Sequence, residues 1–259
     1  MRINSKIFGI IALTAVIIFG MVSCIIIADN DDDTKTYGPT HFGSTLSFSK
    51  EEVWVHNRNT TKVSEVYYRF SDRTEIGVNA VVHIYEPPYT EVLNNLGTIK
   101  NGILNLEVPS LASDKLLEWD ALVYDFFHEW YIPLNNNPIP DPLPIEIDTP
   151  GVRGNVITFM TTPNKVLHPE GFLGTPSSLC MQSIRFIYVT KDCIITLRPT
   201  MGAWPGSYSY QITNTVALNL KEGWNALLRT ETYNQAGTFA IISLEVKNPN
   251  YLRWVMRNP

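Results

Sequence analysis

Apolar side chains recur at every second position from Leu46 to Pro109, in the stretches STLSFS, EVWVHN, VSEVYYRFS and IGVNAVVHIYEP, with turn-forming residues between them. A period of two sends successive side chains to opposite faces, so each stretch reads as a half-buried β-strand. LGTIKNGILNLEVP then reads as a hairpin, because Asn101-Gly102 supplies the positive φ values of a tight turn. The pattern resumes in NVITFMTTP and SIRFIYV and continues through YSYQITNTVALNL, WNALLRTETYN, TFAIISLEVKN and YLRWVM. Many short strands rich in aromatic and β-branched residues predict an all-β protein, with antiparallel sheets forming a β-sandwich-like body in two halves.

Two segments interrupt the alternation. In SLASDKLLEWDALVYDFFHEWYIP, Leu116, Trp119, Val123, Phe126 and Trp130 recur at three- and four-residue steps behind Ser110 or Ser113. That spacing predicts one amphipathic helix over 113–130, with a strand at LVYDFF as the alternative. IPLNNNPIPDPLPIEIDTPG is too rich in proline to hold a regular ladder and reads as a linker or a long surface connection. The chain thus divides into an amino-terminal β-rich half (42–132), a proline-rich connection (133–154) and a carboxy-terminal β-rich half (155–259).

Arg2 and Lys6 precede an uncharged run from Ile7 to Ala28, the arrangement of a secretory signal. A membrane-spanning helix has similar hydropathy, and in that reading Cys24 is one more small apolar residue. Cys24, preceded by Val22 and Ser23, resembles the cysteine of a bacterial lipobox, with Met21 where Leu is commonest. The resemblance implies a signal peptide over 1–23, cleavage before Cys24, and a lipid-anchored tether over 24–41. Fatty acyl chains such as palmitate on Cys24 would hold the protein to the membrane. ADNDDDTKTYGPTHFG is acidic and aperiodic, as a solvated tether is, and lacks the Gly and closing Glu of a calcium-binding loop. Ile25 follows the cysteine in place of an acidic retention signal, which favours the outer membrane.

LGTIKNGILNLEVP, IRFIYVTKDCIITL, ALNLKEGWNALLRTE and YLRWVM are similar to strand signatures of a functionally uncharacterised group of exported lipoproteins in spirochaetes and Bacteroidota. The resemblance covers most of the exported chain and implies an envelope lipoprotein with a β-sandwich-like body. It transfers no catalytic residue.

With 20 basic and 25 acidic side chains the net charge is −5, and no basic patch suits a phosphate backbone, so nucleic acid is not an expected partner. His128-Glu129 lacks the second histidine of a zinc-protease helix, since Ile132 stands there. Asp125, His128 and Glu129 on one helix face read as solvated residues opposite the aromatic stripe. His41, His56, His83 and His168 show no ligand spacing, and neither a serine-nucleophile elbow nor a phosphate-binding glycine loop occurs. No metal or other cofactor is expected. A hydrolase built from distant carboxylates ranks third among the functional readings.

SIRFIYVTKDCIITLRP reads as two strands about a turn at Thr190–Cys193, a geometry poor for a Cys180–Cys193 bridge. Two reduced, half-buried cysteines are favoured over a disulfide. In MGAWPGSYSY, Trp204 sits at a turn, with Tyr208 and Tyr210 on one face of the next strand. These rings form an aromatic platform for a glycan or protein ligand, or else close one end of the core. The leading expectation is a non-catalytic binding or adhesion module, and a structural or assembly subunit of the envelope is the alternative. Cys24→Ala is expected to abolish incorporation of labelled palmitate into the protein in its source cells. Undiminished labelling of the variant would refute the anchor.

Overall fold

The computed structural model describes residues 37–57, 66–84, 90–118, 145–162, 164–175, 178–198, 200–203, 209–212, 215–233 and 239–257. Its strands are β1 (His41–Gly43), β2 (Leu46–Asn57), β3 (Val66–Arg69), β4 (Ile76–His83), β5 (Thr90–Lys100), β6 (Ile103–Val108), β7 (Leu117–Glu118), β8 (Ile145–Ile147) and β9 (Arg153–Thr161). They continue with β10 (Lys165–Thr175), β11 (Ser178–Val189), β12 (Cys193–Leu197), β13 (Thr200–Ala203), β14 (Ser209–Ile212), β15 (Val216–Leu220), β16 (Gly223–Tyr233), β17 (Phe239–Glu245) and β18 (Arg253–Arg257). The all-β expectation holds: among the described residues there is no α-helix, and none long and apolar enough to cross a membrane.

The sheet does not remain an open layer stacked on a second one, as a sandwich requires. β18 returns to pair in parallel with β2, and β9 pairs with both β4 and β11. The eight strands β10, β11, β9, β4, β5, β6, β2 and β18 therefore close into a barrel. Both halves of the chain contribute strands to it. Curvature comes from register shifts at Ser49/Glu51 and Val78/Ala80, beside Lys50 (φ 63°) and Asn95 (φ 59°). The β5–β6 hairpin turns at Asn101 (φ 53°) and Gly102 (φ 73°), as its sequence predicts. A side chain on Gly102 would also strike the Phe70 carbonyl, so the close approach of β3 to this turn needs glycine as well.

An eight-strand barrel is just wide enough for side chains to fill, and here aromatic rings fill it. Phe186 sits among Phe42, Phe48, Phe159 and Trp254 with ring centroids 5.3–6.1 Å apart. Val53, Val55, Val78, Ala80, Val82, Leu104 and Leu106 surround them at every second position of their strands.

Beyond the barrel, β16, β17, β14 and β13 extend the sheet from β11, and a separate three-stranded sheet, β15–β12–β8, contributes to a second core. Ile195, Leu197, Leu218 and Leu220 from that sheet cluster with Ile187, Val189, Leu227, Ile242 and Leu244. β11 and β16 are therefore buried on both faces: Ile184, Phe186, Ala226 and Leu228 belong to the barrel core, and Ile187, Val189 and Leu227 to the second. This layered part is what remains of the sandwich expectation.

Two local expectations are corrected. β11 and β12 do not pair as a hairpin, because the turn at Thr190–Asp192 passes the chain from the large sheet into the small one. The helix over 113–130 does not form at its start: Ser113–Lys115 is one 3-10 turn and Leu117–Glu118 pairs with Gly154 and Arg153. The physical reason is that Leu116 belongs to the barrel core and Leu117 to the second core, so adjacent side chains point opposite ways, as in a strand. Residues 119–130 lie outside the described residues.

Phe186→Ala is expected to cost about 3–5 kcal/mol of unfolding free energy in urea titrations, because a hub ring leaves a cavity that the rigid wall cannot close. Tyr68→Ala, at a side chain 50% exposed, should change stability by less than about 0.5 kcal/mol.

Candidate functional site

With the barrel filled, chemistry is available at its ends and on its wall. At one end, beside β1, lies a groove of about 580 Å³ lined by His41, Ser44, Tyr188, Asp192, Lys221, Glu222 and Gly223. Three elements build it. β1 lies along β16, with His41 opposite Asn225, Gly43 opposite Trp224, and the Ala226 N–H donating to the Thr40 carbonyl at 2.9 Å. Gly223 (φ 102°) permits the contact, since a side chain there would collide with the Gly43 backbone. Asn225, fully buried, donates to the Lys221 and Gly223 carbonyls at 2.7 and 3.0 Å and accepts the Lys221 N–H at 2.9 Å, which fixes the loop.

Asp192 comes from the crossover between β11 and β12. Its carboxylate accepts the Glu222 N–H and the Lys221 ammonium, both at 2.8 Å. The Lys221 hydrogen bond first, and the Glu222 N–H second, hold its carboxyl below the usual range. His41 Nε2–H donates to the Glu222 carbonyl at 2.7 Å. Tyr188 packs edge-on against Trp224 at 5.3 Å, and burial, aided by the negative charge of Glu222, pushes its hydroxyl pKa up. Among the described residues the Glu222 carboxylate and the Ser44 hydroxyl make no hydrogen bond within the protein. The groove thus presents carboxylate acceptors, ammonium and hydroxyl donors and an aromatic wall.

A second polar constellation centres on a buried carboxylate. Glu170, 2% exposed, accepts from Arg257 at 2.6 Å and from Tyr67 at 2.5 Å, and its other oxygen meets His168 Nε2 at 2.8 Å. His56 stacks on Tyr67 with centroids 5.0 Å apart. Burial opposes ionisation, but His168, Arg257 and Tyr67 outweigh it and hold the Glu170 carboxyl at about 2. Burial and the neighbouring Glu170 push the Tyr67 hydroxyl well above its usual range. General acid–base work calls for a pKa near the working pH. Glu170 is instead a tie between β3, β10 and β18 that is ionised at neutral pH.

Of the sequence-derived candidates, Cys24, Trp204 and Tyr208 lie outside the described residues, as do Asp125, His128 and Glu129. Tyr210 is on β14, opposite Gly202 of β13 and Ala240 of β17. Cys180 and Cys193 form no disulfide and are wholly rather than half buried, one on β11 and one on β12. Burial first, then Asp148 and Asp192, pushes the Cys193 thiol up to about 11, far from a nucleophile's range. Of the four scattered histidines, His41 reaches the groove, while His56 and His168 approach the Glu170 tie through Tyr67 and directly. Among the described residues no cluster of His, Cys, Asp and Glu is arranged to hold a metal ion.

Sequence reasoning missed both constellations. His168-x-Glu170 carried a readable signal, because residues two apart share a strand face. The groove had none: TKD and KEG are ordinary polar turns about thirty positions apart.

Glu170 is bound more tightly as a carboxylate in the folded state, so its stabilisation is complete above pH 4.5 and is lost as the pH falls towards about 2. Urea unfolding between pH 7 and pH 2.5 is expected to lose about 3 kcal/mol from this group. Glu170→Gln should be less stable at pH 7 and lack that acid limb. An unchanged acid limb in the variant would show that Glu170 is not the tie.

No protein-family model, curated protein or solved structure matches this chain.

Proposed function

We propose that this protein is an exported lipoprotein, anchored in the bacterial envelope through Cys24 with the outer membrane favoured, whose barrel serves as a non-catalytic binding or adhesion module. The observation that carries the reading is the groove formed by His41, Ser44, Tyr188, Asp192, Lys221 and Glu222. Paired acceptors and donors beside an aromatic ring suit a hydroxyl-rich glycan, because vicinal hydroxyls donate to carboxylates while ring C–H faces pack on tyrosine. Asp192 and Asn225 hold the loop in place before a ligand arrives, which reduces the ordering cost of binding. Trp204, Tyr208 and Tyr210 remain a second proposed contact surface, of which Tyr210 lies on β14.

The alternative, a structural or assembly subunit, draws on the extension itself. β13 ends the strand order, and among the described residues no strand pairs along its outer side. Such an edge can accept a strand from another chain.

Glycan-array screening of the full-length protein in nanodiscs is expected to give saturable binding that Glu222→Gln weakens at least tenfold. Trp204→Ala should leave that binding intact. Loss with Trp204→Ala alone would move the site to the Trp204, Tyr208 and Tyr210 surface, and no glycan binding at all would favour the assembly role.

A further inference from the structure

The two carboxylates of the groove at the barrel mouth stand in different circumstances. Asp192 is neutralised, since the Lys221 ammonium and the Glu222 N–H both donate to it at 2.8 Å. Glu222 is held by its backbone alone. Its N–H is tied to Asp192 and its carbonyl accepts from His41 at 2.7 Å, while among the described residues no donor meets its carboxylate. On either side of it, buried Asn225 clamps the Lys221 and Gly223 carbonyls at 2.7 and 3.0 Å. The Glu222 side chain therefore leaves an immobilised stretch of backbone with its charge unspent inside the protein.

Tyr188 lines the same groove. It is close enough to Glu222 that the carboxylate's charge, second to burial, raises its hydroxyl pKa. Asp192 and Lys221 cancel each other, so the Glu222 charge is the one left over, in a chain whose net charge is −5. An unneutralised carboxylate beside an aromatic ring is the pairing that recognises an ammonium: the carboxylate is a charge-assisted acceptor, and the ring adds the attraction of its π-electrons. Lys221, engaged by Asp192, offers no free cation to an acidic ligand, and Glu222 repels one.

We infer that the groove selects glycans that carry a free amine, with the ammonium of an amino sugar held between the Glu222 carboxylate and Tyr188 and its neighbouring hydroxyls at Ser44 and Asp192. The inference rests on the glycan reading of this groove and names the class of sugar it takes. Glu222 is then the residue that sets specificity, and Asp192 the one that positions its backbone.

Isothermal titration of the full-length protein in nanodiscs, with empty nanodiscs as reference, tests it with a glucosamine trisaccharide and the same trisaccharide N-acetylated, in low salt at about pH 6, where the free amines are charged. The free-amine form is expected to bind at least tenfold more tightly, and added salt should narrow that ratio. Glu222→Gln, a change at an exposed side chain, should bring the two forms within about threefold of each other. Equal affinities on the unaltered protein would overturn the ammonium site and leave the glycan reading standing. A preference that survives in Glu222→Gln would overturn the assignment to Glu222. If neither form binds while the glycan array captures a neutral or acidic sugar, this inference fails and the glycan reading holds; if the array too is empty, both fail.

Discussion

The pairing of β18 with β2 is the contact on which the rest of the architecture depends. It joins the end of the chain to the first long strand, in parallel, through Trp254↔Val53, Val255↔Trp54 and Met256↔Val55. Without it the sheet has two more edges and the aromatic interior faces water. With it, Trp254 is delivered against Phe48, Phe159 and Phe186, and burial of those rings supplies the apolar stabilisation that offsets the entropy of so long a closure. The Glu170 tie reinforces the seam, since Arg257 on β18 and Tyr67 on β3 both reach a carboxylate on β10.

Closure also explains where polar chemistry resides. A barrel of this size packed with rings has no room for a central ligand, and an open polar groove lies at its mouth. At the mouth, β1 is held to β16 by the Ala226–Thr40 hydrogen bond and the Gly223–Gly43 approach, which brings His41 over the Lys221–Gly223 loop. Under the lipoprotein reading, His41, the last residue of the proposed tether, is also a residue of the groove.

Double burial of β11 and β16 links the barrel to the second core. Leu227 and Leu228 are adjacent in sequence and belong to different cores. A strand of this kind cannot alternate apolar with polar, and WNALL does not. Cys193, Ile195 and Leu197 on β12 complete the outer layer, so the thiol of Cys193 is enclosed and does not meet Cys180 on β11.

The sequence by itself determined the local structure. Alternation defined the strands, Asn101-Gly102 defined the β5–β6 hairpin, and the absence of sustained helical periodicity over most of the chain defined the all-β class. These are short-range effects of side-chain direction and turn stereochemistry, readable within a few residues. Tertiary structure alone decided whether the sheets stack or close, because the choice depends on pairing Trp54 with Val255 and Val78 with Thr161 across intervals that no local pattern encodes. The same holds for Leu116 and Leu117: a helix-like spacing was overridden when two separate cores each claimed one of them. It holds for the groove as well, where Asp192, Lys221 and His41 acquire a shared chemistry only because barrel closure and the β1–β16 contact carry two ordinary turns and a short strand to one place.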